Sequence, residues 1–194
     1  MSVRVVPVVD APWDDVRTVF GTRGDPSSCW CQFFKVDAAN WKAGDRTSFE
    51  RSLCDQVDEA RAAKGAGPGL LAYSDDEPAG WVAIEPRAAY RRIVTKPAVA
   101  DVDPSVGADD TWVVSCFVVR VGQRRKGIAS TLLAGAVEHA RANGARVIEA
   151  FPVEAGAGVT SAELYHGPLS VFEAAGFEVL ARPRERRAFV RLTL

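Results

Sequence analysis

The segment 118–129 contains the residues of this chain whose types and spacing best suit a chemical role. An apolar, strand-like run ends at Val119, and a helix-like run begins at Ile128 and Ala129. The turn between them carries three cations and a glycine: Arg124, Arg125, Lys126 and Gly127. Helix N-termini and arginine side chains both bind anions, and glycine allows close backbone approach. The pattern Arg-x-x-Gly-x-Ala therefore predicts a cradle for a pyrophosphate. Arg120, just before the turn, either contacts a phosphate or faces water.

Four further residues are candidates for proton transfer. Glu149 lies on an otherwise apolar strand-like run, and Glu85 ends another such run. A carboxylate in such a place either exchanges a proton with a substrate or is an ordinary strand acid. Tyr165 and His166 precede a Gly-Pro turn, where each is either functional or a structural loop residue. Cys116 lies within an apolar run, which is more typical of packing than of a nucleophile.

Composition limits the classes of protein to consider. The chain has 194 residues, 47% hydrophobic and 25% charged, with a net charge of −1. These values predict one globular domain spanning 1–194, with no nucleic-acid partner and no membrane partner. No apolar run is long enough for a bilayer and no leader pattern is visible, so we expect a cytoplasmic protein. Two histidines and a Cys-x-Cys pair do not suit a metal site, and none is expected.

The elements that would position these residues follow from periodicity and turn signals. Strand-like runs cover 3–8, 70–73, 80–84, 112–119, 146–151, 177–180 and 188–192. Helix-like runs begin near Pro12 and cover 48–64, 128–143 and 169–175. Loops are expected at 21–28, 86–110 and 156–167, and the basic cluster 182–187 is expected in a hairpin turn. The strand, helix and strand between 112 and 151 predict a right-handed parallel crossover.

The cradle, the order of elements and the Gly176-Phe177 pair together resemble the GNAT superfamily of acyl-CoA-dependent N-acetyltransferases, across nearly the whole chain. The family's motif is Arg/Gln-x-x-Gly-x-Gly/Ala after an apolar strand, matched here by Arg124, Gly127 and Ala129. The resemblance implies an α/β (α+β) fold: a mixed, mostly antiparallel sheet with a central splayed pair of parallel strands and flanking helices.

The same resemblance implies a reaction. Acetyl-CoA or another acyl-CoA would be the co-substrate, bound at 124–129, with its pantetheine along the backbone of Phe117, Val118 and Val119. A strand N–H would polarise the thioester carbonyl, and a primary amine, small or peptidic, would attack directly. The family often has a tyrosine four residues before the Gly-Phe glycine, where it protonates the departing thiolate. Here Phe172 stands there and cannot donate a proton.

The acceptor side is less specified. By resemblance, the aromatic and cysteine-rich segment 29–41 would line the acceptor pocket, and Trp30 and Tyr90 are the predicted contacts. Core packing is the alternative for both. A non-catalytic acyl-CoA sensor or interaction module remains an alternative function, and an unpaired C-terminal strand edge would allow a homodimer.

Overall fold

A single seven-stranded sheet organises the chain. The structure, a computed structural model, describes residues 2–94, 110–156 and 158–194. The strands are β1 (Val3–Pro7), β2 (Gly69–Ser74), β3 (Glu77–Pro86), β4 (Thr111–Val119), β5 (Val147–Ala150), β6 (Glu178–Arg184) and β7 (Arg187–Thr193). Their order across the sheet is β1-β2-β3-β4-β5-β7-β6. β4 and β5 run parallel and the other neighbouring pairs are antiparallel, which confirms the predicted fold class and the parallel crossover.

Helices cover both faces of the sheet. They are α1 (Trp13–Phe20), α2 (Asp25–Cys29), α3 (Ala38–Ala43), α4 (Arg46–Ala63), α5 (Arg91–Val94), α6 (Ile128–Ala142), α7 (Ser161–Leu164) and α8 (Leu169–Ala174). The apolar residues of α6 and α8 pack on one face in the larger core cluster. Those of α1 and α4 pack on the other face, in a second cluster with Trp30 and Trp81. Because each of these four helices buries one apolar stripe, the sheet becomes the middle of three layers.

The two parallel strands separate near the middle of the sheet. β5 pairs with β4 only as far as Val114 and Ala150, whereas β4 continues for five more residues. A register shift in the β3–β4 pairing lies at the same level. Backbone groups on the free side of β4 therefore face an opening, and the N–H of Phe117 there donates to the carbonyl oxygen of Tyr165 at 2.6 Å.

Some predicted loops contain short helices. Residues 21–28 include most of α2, which accommodates Pro26 in its first turn, where a missing N–H costs nothing. Residues 156–167 include α7, which begins with a reciprocal cap between Thr160 and Glu163. The predicted connection 86–110 begins with a 3₁₀ turn and α5, and its residues 95–109 lie outside the described residues.

The C-terminal hairpin also differs from the prediction. The basic cluster 182–187 lies mostly on β6 and β7, and only Glu185 and Arg186 form the turn. Every residue of β6 is exposed, as is usual for an edge strand. The strand continues through charged residues to Arg184, beyond the apolar run from which it was predicted. None of the described helices is long and apolar enough to cross a membrane.

Candidate functional site

The turn between β4 and α6 has the backbone of an anion cradle. Arg125 and Gly127 both adopt the left-handed conformation, with φ of 61° and 76°. Gly127 is the N-cap of α6 and provides no side-chain cap, so the helix begins with a bare backbone turn. A Cβ added at Gly127 would meet no atom within 4 Å and would point into open space. The positive end of a 15-residue helix therefore faces a space that an anion can enter.

The cations of the turn are exposed, and two of them form hydrogen bonds with nearby residues of the same segment. Arg124 Nε donates to the carbonyl oxygen of Val119 at 3.2 Å, and Lys126 Nζ bonds Gln123 at 3.1 Å. Arg120 instead turns back toward β3, where its Nη1 donates to the carbonyl oxygen of Pro78 at 2.7 Å. Arg120 also lines a cavity of about 460 Å³ beside α1, whose wall includes Arg124 and Tyr165.

A groove of about 630 Å³ runs from the cradle into the opening beside β4. The sequence-predicted residues in its wall are Phe117, Val119, Arg124, Arg125, Gly127, Ile128 and Ala129. Its other wall comes from the segment after β5, including Leu164, Pro168 and Val171. Val118 faces the opposite side of the sheet, in the cluster with α1 and α4. The groove thus joins seven of the predicted acyl-CoA contacts and one free strand edge in a single cleft.

A second cavity of about 530 Å³, called here the chamber, lies on the other side of β4. Its wall is built from the N-terminal segments around α2, α3 and the start of α4, from Ser115, Cys116 and Val118 of β4, and from the segment at α7. Aromatic side chains dominate its inner surface: Phe33, Phe34, Trp41 and Phe49. Both candidates of the loop before α8, Tyr165 and His166, lie in its wall.

Tyr165 lies in the walls of both the groove and the chamber. Its side chain is half-buried, while its carbonyl oxygen holds the Phe117 N–H. Burial raises the pKa of the Tyr165 hydroxyl above its ordinary value, and the nearby charge of Asp25 acts in the same direction. The phenol is therefore protonated at neutral pH and has a proton to donate.

Three cysteine thiols line the chamber. Burial raises the pKa of Cys29 to about 12, and Cys31 adds to the effect. The pKa of Cys31 is also well above its ordinary value, because its thiol lies against Cys116 and is buried. Thiols whose pKa is raised in this way are poor nucleophiles, so Cys29 and Cys31 contribute polarizable wall surface rather than covalent chemistry.

Glu149 lies away from both cavities, in a buried ion-pair cluster. Its side chain is completely buried, with Arg191 Nη2 at 2.8 Å from one carboxylate oxygen and Arg87 Nη1 at 3.6 Å from the other. In the sheet it stands between Val113 of β4 and Arg191 of β7, in the part where the strands are still paired. Its contacts are those of a structural carboxylate with two cationic partners.

Glu85, on β3, is also held in an ion pair. Its carboxylate forms a salt bridge with Lys35, whose Nζ also donates to Gln56 at 2.6 Å. Glu85 lines a shallow cavity beside α4 that the groove and the chamber do not share. Its contacts are therefore those of a carboxylate in a structural ion pair outside both cavities.

The two aromatic residues predicted to contact an acceptor are packed inside the protein. Trp30 is 1% exposed and stacks on Phe20 at 4.7 Å between ring centroids. Tyr90 is fully buried, with its hydroxyl beside Ser115, and burial raises its pKa well above the ordinary value. Neither is among the residues that line the chamber. Apolar residue type alone does not distinguish a pocket wall from a core, and both residues have core contacts.

Phe172 is fully buried on α8, edge-on to Phe117 and Phe177. It belongs to the core that supports the groove from below. The position where the family often has a tyrosine therefore has a packing role here, and the tyrosine that lines the groove in the described residues is Tyr165.

The structure brings Asp25 into the chamber wall, which sequence reasoning did not single out. The Asp-Pro pair opening α2 was a visible helix-start signal. Nothing in the local sequence predicts that Asp25 lies near Tyr165, which is 140 residues later in the chain. Within the described residues, no group of three histidine, cysteine, aspartate or glutamate side chains could hold a metal ion.

Comparison with known proteins agrees with this architecture. The model of the acetyltransferase (GNAT) family matches residues 30–167. No functionally curated protein matches the chain. Among solved structures, the coenzyme A complex of PaiA N-acetyltransferase from Thermoplasma acidophilum has a TM-score of 0.56 at 12% identity, covering 100% of both chains. YncA from Salmonella typhimurium, solved with acetyl-CoA, has a TM-score of 0.58 at 16% identity, covering 100% of this chain and 95% of its own.

A third structure, a GNAT-family protein from Desulfovibrio desulfuricans, has a TM-score of 0.54 at 22% identity and covers 99% of both chains. At these identities the likenesses establish the fold, and the family match extends over more than two thirds of the chain.

Proposed function

This chain belongs to the acetyltransferase (GNAT) family, and from that premise we propose that it moves an acetyl or other short acyl group from acyl-CoA to a primary amine. The amine attacks directly, with both substrates bound. The observation that carries the proposal is the position of Tyr165 in the walls of both the groove and the chamber. A donor in one cavity and an acceptor in the other would meet beside the free edge of β4.

The groove is the proposed site of the acyl donor. The first turn of α6 and the cations Arg124, Arg125 and Lys126 would bind the pyrophosphate, because helix-end N–H groups and cationic side chains favour that charge. The pantetheine would lie along Phe117, Val118 and Val119 of β4, whose free backbone edge faces the groove. This assignment uses backbone groups, so it is compatible with the packing of the same side chains in the cores.

The N–H of Phe117 is the proposed donor to the thioester oxygen. In the structure this N–H donates to the Tyr165 carbonyl oxygen at 2.6 Å. Binding of the donor would exchange this bond for one to the thioester oxygen, where negative charge develops as the amine attacks. The exchange keeps the Phe117 N–H hydrogen-bonded and releases the Tyr165 carbonyl oxygen.

Tyr165 is the proposed acid. When the carbon–sulfur bond breaks, the sulfur takes the phenolic proton and leaves as the thiol, while the attacking nitrogen passes its extra proton to His166. Solvent then removes the proton from His166 and returns one to the Tyr165 phenolate. His166, in the chamber wall, is the proposed acceptor of that nitrogen proton. Because burial keeps Tyr165 protonated at neutral pH, the acid is present in its active form.

The proposal extends to the domain organisation, the location, the acceptor and the oligomeric state of the protein. Residues 1–194 would act as one domain in the cytoplasm, with a small or peptidic amine as acceptor. The exposed edge strand β6 offers an edge for pairing with a second copy.

A test measures release of free CoA thiol from acetyl-CoA with a panel of primary amines. We expect Tyr165→Phe to lower kcat about 100-fold while leaving acetyl-CoA affinity unchanged. Tyr73→Phe is the matched control, since its hydroxyl bonds Asp15 at 2.6 Å and lines neither the groove nor the chamber. An unaltered kcat in Tyr165→Phe would exclude the phenol as the acid.

The alternative function is a non-catalytic acyl-CoA-binding module. Two observations favour it: Phe172 fills the family's usual tyrosine position, and the Phe117 N–H is engaged by Tyr165. Calorimetric binding of acetyl-CoA without thiol release for any amine would support this alternative, whereas turnover of any amine excludes it.

A further inference from the structure

The inner wall of the chamber is one continuous aromatic surface. The Phe33 ring lies edge-on to Phe34 at 5.0 Å and to Trp41 at 5.1 Å, measured between centroids. Trp41 in turn stacks on Phe49 at 4.8 Å. Four touching rings present both faces and edges, which is the geometry that another aromatic ring or a bulky apolar group packs against.

This wall is held in place by its surroundings. The Arg92 guanidinium donates to the carbonyl oxygens of Val36 at 2.8 Å and Asp37 at 3.1 Å, and it lies 4.4 Å above the Phe33 ring. These contacts fix the loop that carries Phe33 and Phe34 before any ligand arrives. A preorganised wall loses little conformational entropy when it binds, so its apolar contacts contribute fully to selectivity.

One carboxylate of the chamber wall lies near Tyr165, where the reaction would occur. Asp25 and Tyr165 both line the chamber, and the Asp25 charge reaches the Tyr165 hydroxyl. The other two charged residues of the wall, Asp45 and Arg46, are chain neighbours of opposite charge, so their charges partly offset each other. Asp45 accepts the N–H of Ser48 at 2.8 Å, and Arg46 donates to the carbonyl oxygen of Thr22 at 3.1 Å. A cationic group drawn into the chamber is therefore attracted toward the Tyr165 end.

We propose that the chamber selects primary amines with an aromatic or bulky apolar tail: the ammonium group binds beside Asp25, and the tail packs among Phe33, Trp41 and their neighbours. This inference rests on the proposed function for the direction in which the amine points. It makes Trp41 a specificity-determining residue and Asp25 an ammonium-binding residue, and it excludes small hydroxylated amines and polar peptide ends as preferred acceptors.

A second class of occupant, the acyl chain of a long-chain acyl-CoA, fits the chamber less well. Phe33 is 40% exposed, so the chamber wall reaches solvent at this residue. An acyl chain has no charge to satisfy Asp25, and it would enter from the groove rather than from solvent. The opening and the carboxylate both suit an amine that arrives from solution.

The experiment compares kcat/KM for 2-phenylethylamine and ethanolamine with acetyl-CoA as donor. We expect a preference of about 10- to 100-fold for 2-phenylethylamine, the value that burial of one phenyl ring predicts. Trp41→Ala should reduce that preference about tenfold. The matched control is Trp13→Ala, another half-buried, stacked tryptophan, which lies outside the chamber wall and should keep the preference. Asp25→Asn should lower kcat/KM about tenfold for both amines and leave their ratio unchanged, while Asp14→Asn should change neither.

Binding of the two amines to the CoA-loaded protein, measured by calorimetry, gives the same comparison without turnover. Equal affinity for 2-phenylethylamine and ethanolamine would overturn the inference, even in an active enzyme. A preference for octanoyl-CoA over acetyl-CoA that disappears in Trp41→Ala would overturn it as well, because the chamber would then hold the acyl chain. Failure to bind acetyl-CoA would instead remove the proposed function, and selective amine binding by the unliganded protein would still support the aromatic chamber.

Discussion

The two glycines that flank α6 allow the cradle to be tested against a matched control. Gly127 precedes the helix and Gly144 follows it, with φ of 76° and 86°, and a Cβ at either would meet nothing within 4 Å. Alanine at either position costs about 1–2 kcal/mol for the left-handed backbone. We therefore expect both Gly127→Ala and Gly144→Ala to lower Tm by about 2–8 °C.

The affinity for acetyl-CoA should separate the two positions. In Gly127→Glu a carboxylate enters the space proposed for the pyrophosphate. One pair of like charges about 4 Å apart costs about 1 kcal/mol in water and about 4 kcal/mol near a protein surface. Since 1.4 kcal/mol is a factor of ten, Kd should rise between about fivefold and several hundredfold. Gly144→Glu carries the same charge and the same strain at the other end of the helix, and its Kd should be that of the wild type.

Calorimetric titration with acetyl-CoA, combined with thermal unfolding of each variant, provides both measurements. The reasoning fails if Gly127→Glu binds acetyl-CoA as tightly as Gly144→Glu does at equal Tm. Equal losses of affinity at both positions would show that strain, rather than charge in the cradle, controls binding.

Three further predictions concern stability. Arg191→Leu leaves the buried Glu149 carboxylate with Arg87 alone at 3.6 Å, so the free energy of unfolding in urea should fall by about 3 kcal/mol. Adding Glu149→Leu should restore much of that loss. A loss below about 0.5 kcal/mol for Arg191→Leu would contradict the buried pair. Burial lowers the pKa of His139 from 6.5, so the folded chain resists a proton that the unfolded chain accepts. The free energy of unfolding should be at its full value above pH 6.5 and decrease as the pH falls through the lowered folded pKa, and His139→Leu should flatten that decrease. Leu132→Ala removes a fully buried side chain of α6 and should cost about 2–5 kcal/mol, whereas the exposed Leu164 of α7 should tolerate alanine at under 1 kcal/mol.

The fold was predictable because its signals are local. The β4 strand, the basic turn and the apolar stripe of α6 are contiguous in the chain, and their order alone required a parallel crossover. Short helices escaped prediction, since a four- or five-residue helix has no periodicity to detect. The Thr160–Glu163 capping pair was nevertheless readable as a helix start for α7.

The cradle wall of the groove could be predicted because it is one contiguous segment of the chain. The chamber could not be predicted in this way. Whether an aromatic residue of the 29–49 segment lines a cavity or a core depends on what packs against it. Trp30 meets Phe20 and Trp13 and is buried, while Trp41 meets Phe33 and borders the chamber. The acids are a similar case, because Glu149 and Glu85 are paired by arginine and lysine residues that lie far from them in sequence.

The chamber wall joins parts of the chain that are synthesised at very different times. Residues 25–49 emerge first, Ser115 to Val118 near the middle, and Ala162 to His166 near the end. Contacts of such long sequence separation form late in folding, since each requires closing a large loop. A nascent chain that lacks its last 40 residues therefore has the cradle turn but no complete acceptor site. Binding of an acceptor then indicates that folding is complete. Binding of an anion at the turn indicates only that the β4–α6 unit has formed.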